Sequence, residues 1–273
     1  MYHICQISVD AQVVVRCSDS DILIIFLGNL DHLNASLKLW IQWGVGNHER
    51  LISNNYLYQD LCISLSKALP CFHSITGCDY TPAFFRKGKL RPFKLLEKSV
   101  EYQLACQEII TDDDDELERI FATLEKFVCH MYGVPNSSNV NDVHFYLFSK
   151  TYQSKELDDN FEKKCRSFDS SSLPPCKAEL YQHLLRVRYV TKFWRNAHLK
   201  NPSSLSPLAS GWIVNDDKYD FVWFAGEQFP SSAADIVIKK PTLLENQNTK
   251  QDDDYDDIDN NGSSDNDDDY EDA

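Results

Sequence analysis

Apolar and polar positions alternate in blocks that read as strand, loop and helix along the first hundred residues. Gln12 to Cys17, QVVVRC, is short and β-branched and reads as a buried strand. It runs into the polar loop Ser18-Asp19-Ser20-Asp21, and the following ILIIFLGNL is a helix or a second strand. Leu37 to Trp43 and Arg50 to Ser53 flank Gly44-Val45-Gly46-Asn47, whose glycines and asparagine tolerate positive φ, so a β-hairpin is expected. Residues 55–78 read as helical, ending near Pro70 or Gly77, and a basic segment follows from Phe84 to Lys98.

Beyond about residue 100 the pattern becomes helical. Ile109, Leu117, Ile120, Phe121, Leu124, Phe127, Val128 and Met131 recur at spacings of three and four. Asp112 to Asp115 with Glu116 are placed at the N-terminal turn of that helix, where the macrodipole favours acidic groups. A further helix is expected over Val140 to Ser149. Residues 154–175 read as a linker closing on Ser-Ser-Ser-Leu-Pro-Pro, and a long helix from Lys177 to Leu199 starts past the prolines. Gly211 to Phe224 reads as two short strands around Asn215-Asp216-Asp217.

The chain has 273 residues and a formal charge of −15, but the charge is unevenly placed. Gln251 to Ala273 holds 12 acidic residues and no Lys or Arg, a composition that predicts disorder. Residues 1–250 carry 27 basic against 30 acidic residues, so the remainder is nearly neutral and its local patches matter. The longest apolar run, Ile22 to Gly28, is far short of the roughly 20 residues that span a bilayer, and MYHICQISVD lacks a signal-peptide order. A soluble, intracellular protein, nuclear rather than cytoplasmic, is the expectation. Nine cysteines without a C-x-x-C read as reduced core thiols, which leaves the sequons at Asn34 and Asn136 unused.

Chemistry has three candidate locations. Asp19 and Asp21 stand two apart just after a strand, where an α/β sheet gathers functional groups. Asp79 ends an apolar segment inside a turn, LPCFHSITGCDYTPAFF. Brought together, three carboxylates would repel one another unless a hard dication, Mg²⁺ or Mn²⁺, neutralised them, and paired ions of that kind hydrolyse phosphodiesters. Arg86, Lys87, Lys89, Arg91, Lys94 and Lys98 against Glu97 give +5 within 15 residues directly after Asp79, and Lys87-Gly88-Lys89 allows close backbone approach to a phosphate. On the long helix, Arg188, Lys192 and Arg195 share one face suited to phosphate contacts. His73, His130, His144 and His183 have no ligand spacing and read as packing residues; P-loop, serine-esterase and zinc-peptidase motifs are absent.

CSDSDILIIFL, with Asp79 in LPCFHSITGCDYTPAFFRKGK 58 residues after Asp21, resembles the second half of the PIN-like, flap-endonuclease type of nuclease. It is more similar still to uncharacterised transposon-associated proteins of invertebrate genomes. Those share patterns like VVVRCSDSDILII, LPPCKAELYQHLLRVRYVTKFWRNA and GWIVNDDKYDFVWFAGE, over roughly residues 10–235. The resemblance implies metal-ligand roles for Asp19, Asp21 and Asp79, and a backbone-holding role for Lys87, Gly88 and Lys89 in a helical hairpin. It also implies an α/β fold: an incomplete PIN-like, Rossmann-like sheet over 1–100, a helical extension over 101–153 and the 154–175 linker. The long basic helix with a β-hairpin then fills 176–238, ahead of the acidic tail over 239–273.

The chain departs from that family in one respect that bears on activity. The family takes a further aspartate from an N-terminal strand and a glutamate pair from a helix ahead of the D-x-D, whereas 18 residues precede Asp19. The expectation is a truncated or decayed copy with weak or no phosphodiesterase activity that still binds DNA or RNA. The alternative is a non-catalytic interaction factor whose helical half and acidic tail engage a basic protein partner.

Overall fold

The computed structural model describes residues 1–152, 169–202 and 205–226, all within one compact unit, Met1–Gln228. After a single-turn helix α1 (Tyr2–Cys5) come strand β1 (Gln12–Arg16), helix α2 (Ser20–Gly28), strands β2 (Lys38–Trp43) and β3 (Arg50–Ser53), and helices α3 (Asn54–Leu61) and α4 (Ile63–Ile75). Helices α5 (Leu90–Lys98), α6 (Val100–Glu108), α7 (Asp114–Met131), α8 (Val140–Tyr152) and α9 (Lys177–Arg195) follow, then strands β4 (Trp212–Asn215) and β5 (Lys218–Phe221). The protein is thus mixed α/β, with small sheets and a mainly helical remainder.

The first sheet has the order β1-β2-β3. β1 lies parallel to β2, with Val14 opposite Trp40, and β3 returns antiparallel, with Ile52 opposite Ile41. The parallel pair joined through α2 is a β-α-β unit, and the hairpin expected at residues 37–53 is its continuation. Gly44 and Gly46 take φ of 88° and 60° in the connection. Leu37, Leu39 and Ile41 pack with Phe26 and Leu30. On the other side Val14 and Leu51 stay more than half exposed, so only one face of the sheet is covered.

ILIIFLGNL adopts the helical one of its two expected forms, and the helix begins earlier than the apolar run does. Asp19 caps it by accepting the Asp21 N–H at 2.9 Å, so Ser18 to Asp21 form a helix start and not a free loop. The helical segment expected over 55–78 is broken at Cys62, whose φ of 62° separates α3 from α4; α4 then runs through Pro70 and stops at Ile75.

That α4 helix is the axis of the larger core. It is buried from Leu65 through Ile75 with the exception of Lys67, and α6, α7, α8 and α9 supply Cys106, Ile109, Leu124, Phe127, Val143 and Leu184 around it. A helix enclosed on all sides shows little amphipathic contrast, which is why its ends were hard to place from periodicity. The β4-β5 hairpin turns through Asp216 and Asp217, both at positive φ, and sets Trp212 against Val190 and Trp194 of α9. The described end of the linker, residues 169–175, is docked: His144 Nδ1 and the Pro174 carbonyl lie 2.7 Å apart, and Tyr132 donates to the Leu173 carbonyl at 3.4 Å. The rest of the linker and the acidic tail lie outside the described residues.

Eight cysteines are described and all are free, with Cys71, Cys106 and Cys129 buried. Among the described residues no helix is long and apolar enough to cross a membrane.

Candidate functional site

Asp19 and Asp79 both act electrostatically on Asp21. Burial raises the Asp21 carboxyl above the ordinary carboxylate range, and repulsion from Asp19 and Asp79 raises it further, against a hydrogen bond and charge from His73 that lower it. Their circumstances differ, however. The Asp19 side chain is used as the α2 cap. Asp21 is buried in the first turn of α2, with His73 Nε2 2.9 Å from its Oδ1. Asp79 is exposed, held in a turn in which Cys78 and Thr81 exchange backbone hydrogen bonds and the Thr81 hydroxyl donates to the Ser74 carbonyl.

His73, read from sequence as a packing residue, is the centre of this arrangement. Lys89 Nζ lies 2.9 Å from His73 Nδ1, 3.2 Å from the His73 carbonyl and 2.6 Å from the Gly77 carbonyl. An ammonium only donates, so Nδ1 is the acceptor and the Nε2–H is left to donate to Asp21. Burial and the neighbouring Lys89 charge both push the His73 pKa down, which agrees with that neutral tautomer. Burial also lowers Lys89. The result is a buried chain, Lys89 to His73 to Asp21, joining the segment after Asp79 to α4 and α2. Spacing alone missed it because the three residues lie 16 and 52 positions apart and belong to no metal-ligand pattern.

This arrangement bears on the expected Mg²⁺ or Mn²⁺. A hard dication needs carboxylate oxygens free to converge. Here one Asp19 oxygen is engaged by the Asp21 amide and Asp21 Oδ1 by the imidazole, while the Lys89 ammonium stands behind that imidazole. Among the described residues no group of three or more His, Cys, Asp or Glu is arranged to hold a metal ion.

The cations after Asp79 divide into two sets. Lys89 is turned inward, and Lys87 lies over the Tyr132 ring at 4.3 Å. Arg86, Arg91, Lys94 and Lys98 are exposed and take part in no ion pair among the described residues. Arg91, Lys94 and Lys98 recur at three and four along α5 and so share a face. Gly88 sits in open space between the two sets.

The face of α9 is arranged otherwise than its spacing implied. Arg188 and Lys192 both reach Asp112, at 3.2 and 2.5 Å, and Arg188 also donates to the Thr111 carbonyl. Arg195 is turned to the Lys67 carbonyl at 3.0 Å. Asp112 therefore lies outside α7, which Asp113 caps, and serves as counter-charge to α9. The three basic residues are held by the protein's own groups and do not form a free row.

A search for similar proteins found no matching family model, no matching curated protein and no matching solved structure.

Proposed function

We propose that this protein is a nuclease-derived nucleic-acid-binding protein that does not cleave its ligand. The observation carrying this reading is the exposed cationic set Arg86, Arg91, Lys94 and Lys98, without an ion pair among the described residues, on the segment whose Lys89 closes onto His73. Exposed cations on one helix face attract a phosphate backbone through counterion release. The inward Lys89 supplies a fixed positive charge beside Asp21, and it also ties the cationic segment to the sheet end. A PIN-like descent accounts for the D-x-D and the later aspartate. The His73 hydrogen bond on Asp21 Oδ1 and the Lys89 charge behind it both disfavour a divalent ion at this carboxylate, which supports the non-cleaving reading.

The test is anisotropy with labelled single-stranded DNA, duplex DNA and single-stranded RNA, titrated from about 50 to about 200 mM salt. Duplex affinity is expected to fall with a log–log slope of about −3 to −4, set by the four cations. Arg91→Glu with Lys94→Glu should lose most of the binding. The same substrates should remain intact in Mn²⁺. Salt-insensitive or absent binding would remove the nucleic-acid reading, and cleavage abolished by Asp79→Asn would restore the catalytic one.

A further inference from the structure

A cavity of about 530 Å³ lies between the Pro82–Phe85 segment, the docked linker end, α9 and the chain after β5. Phe84, Phe85, Tyr132 and Trp223 contribute its apolar wall, and Arg186 and His183 line it from α9. Its size and aromatic lining are those of a small-molecule site.

Arg186 is the anomaly. It is 1 % exposed and has no carboxylate partner among the described residues. Among the described residues only Nη1 has hydrogen-bond partners: it donates to the Gly211 carbonyl at 2.9 Å and to the Val222 carbonyl at 2.8 Å, while the buried Nε has none. The rings of Phe221 and Trp223 lie over it at 4.8 and 5.7 Å. Glu179 also lines the cavity, but its carboxylate accepts the Cys176 amide as the α9 cap. Carbonyl dipoles and ring faces compensate a buried charge only in part, and burial accordingly pushes Arg186 down to about 10. His183 repeats the pattern: 5 % exposed, it uses Nε2 on the Ile75 carbonyl and leaves a buried Nδ1 unpaired.

We propose that this cavity binds a small molecule with an aromatic or aliphatic body and a single oxyanion, carboxylate or phosphate monoester, which pairs with Arg186. With Nη1 occupied, the Nε–Nη2 edge is the one with no hydrogen bond among the described residues, and two parallel N–H donors there match an oxyanion side-on. The aromatic wall takes the apolar body. None of Asp21, His73 and Lys89 lines this cavity, and the proposal does not depend on the nucleic-acid reading.

Calorimetric titration of the full chain with 2-naphthoate, 2-naphthyl phosphate and the neutral 2-naphthalenemethanol tests it, with no need of a variant. At least one of the two anions should bind saturably, one per chain, about tenfold or more tighter than the alcohol; which of them binds identifies the oxyanion. Trp223→Ala removes an exposed wall residue without touching the core, and Arg186→Met removes the charge. Both should weaken the anion, and Arg186→Met should abolish the preference over the alcohol. Equal affinity for anion and alcohol, or no saturable binding of either anion, overturns the proposal.

Discussion

His73 donates a hydrogen bond to Asp21 across 2.9 Å, both side chains nearly withdrawn from solvent, and the lysine behind the imidazole gives that bond its direction. Removing the carboxylate has two expected effects. Asp21→Ala strands the buried Nε2–H and should cost about 1 to 3 kcal/mol in urea unfolding at pH 7. Asp21→Asn preserves an acceptor but deletes the negative charge that favours the imidazolium. The His73 pKa, already below the ordinary value, should then fall further, read from its ring-proton shifts across pH.

Lys89 supports the same bond from the other side. Lys89→Met deletes the charge that depresses His73, so in this variant the His73 pKa should move up, opposite to Asp21→Asn. Identical shifts in the two variants would mean the imidazole does not sit between opposite charges.

Asp112 is a surface residue with two cationic partners, and exposure decides what it contributes. Its carboxylate is 76 % exposed, so the pairs with Arg188 and Lys192 should be worth less than about 1 kcal/mol, and Asp112→Ala should leave thermal unfolding nearly unchanged. What changes is surface charge. Freed of their counter-ion, two α9 cations become available, and low-salt affinity for duplex DNA should rise in this variant where Arg91→Glu lowers it. An Asp112→Ala protein with wild-type DNA affinity would mean that α9 does not face the ligand.

Much of the fold could be read from local pattern because it depends on local rules. The 37–53 hairpin, the start of α9 just past Pro174-Pro175 and the Asp216-Asp217 turn each follow from backbone preferences of a few residues. The chemistry was harder to read because it depends on charge pairs formed by folding. Arg188 and Lys192 have the spacing of a phosphate-binding face, and nothing in that spacing reveals Asp112, 76 and 80 positions away. His73 was set aside for lacking a nearby ligand, when its partners come from α2 and from the segment after Asp79. Arg186 lies on the same helix as those surface cations but on its buried side, a distinction that counting charges cannot make.

Gly77 links backbone geometry to the site. Its φ is +106°, and a Cβ there would meet the Ala83 Cβ at 2.6 Å and its Cα at 2.7 Å. Its carbonyl also receives the Lys89 ammonium. Gly77→Ala is therefore strained twice, and should cost about 1 to 3 kcal/mol in urea unfolding. It should also shift the His73 ring resonances, since moving this turn moves Lys89. Gly88→Ala, in open space and without a positive φ, is the control and should be silent in both measurements.

His183 sets an acid limit on stability. It is buried, donates to the Ile75 carbonyl, and is driven from 6.5 down to about 4 chiefly by burial, with Arg186 adding repulsion. A group with a depressed folded pKa contributes stability that is present above its unfolded value and is lost as pH falls towards the folded one. Between pH 6.5 and 4 the unfolded chain takes up a proton at this position that the folded chain refuses, at a cost of about 3 kcal/mol. Urea unfolding of the wild type at pH 7 and pH 4.5 should show that loss, over and above what its carboxylates contribute. In His183→Gln, whose amide can still donate to the Ile75 carbonyl, the loss over the same interval should be smaller by most of that amount, even if the variant is weaker at pH 7. Parallel pH profiles for the two proteins would show that the imidazole is not held neutral.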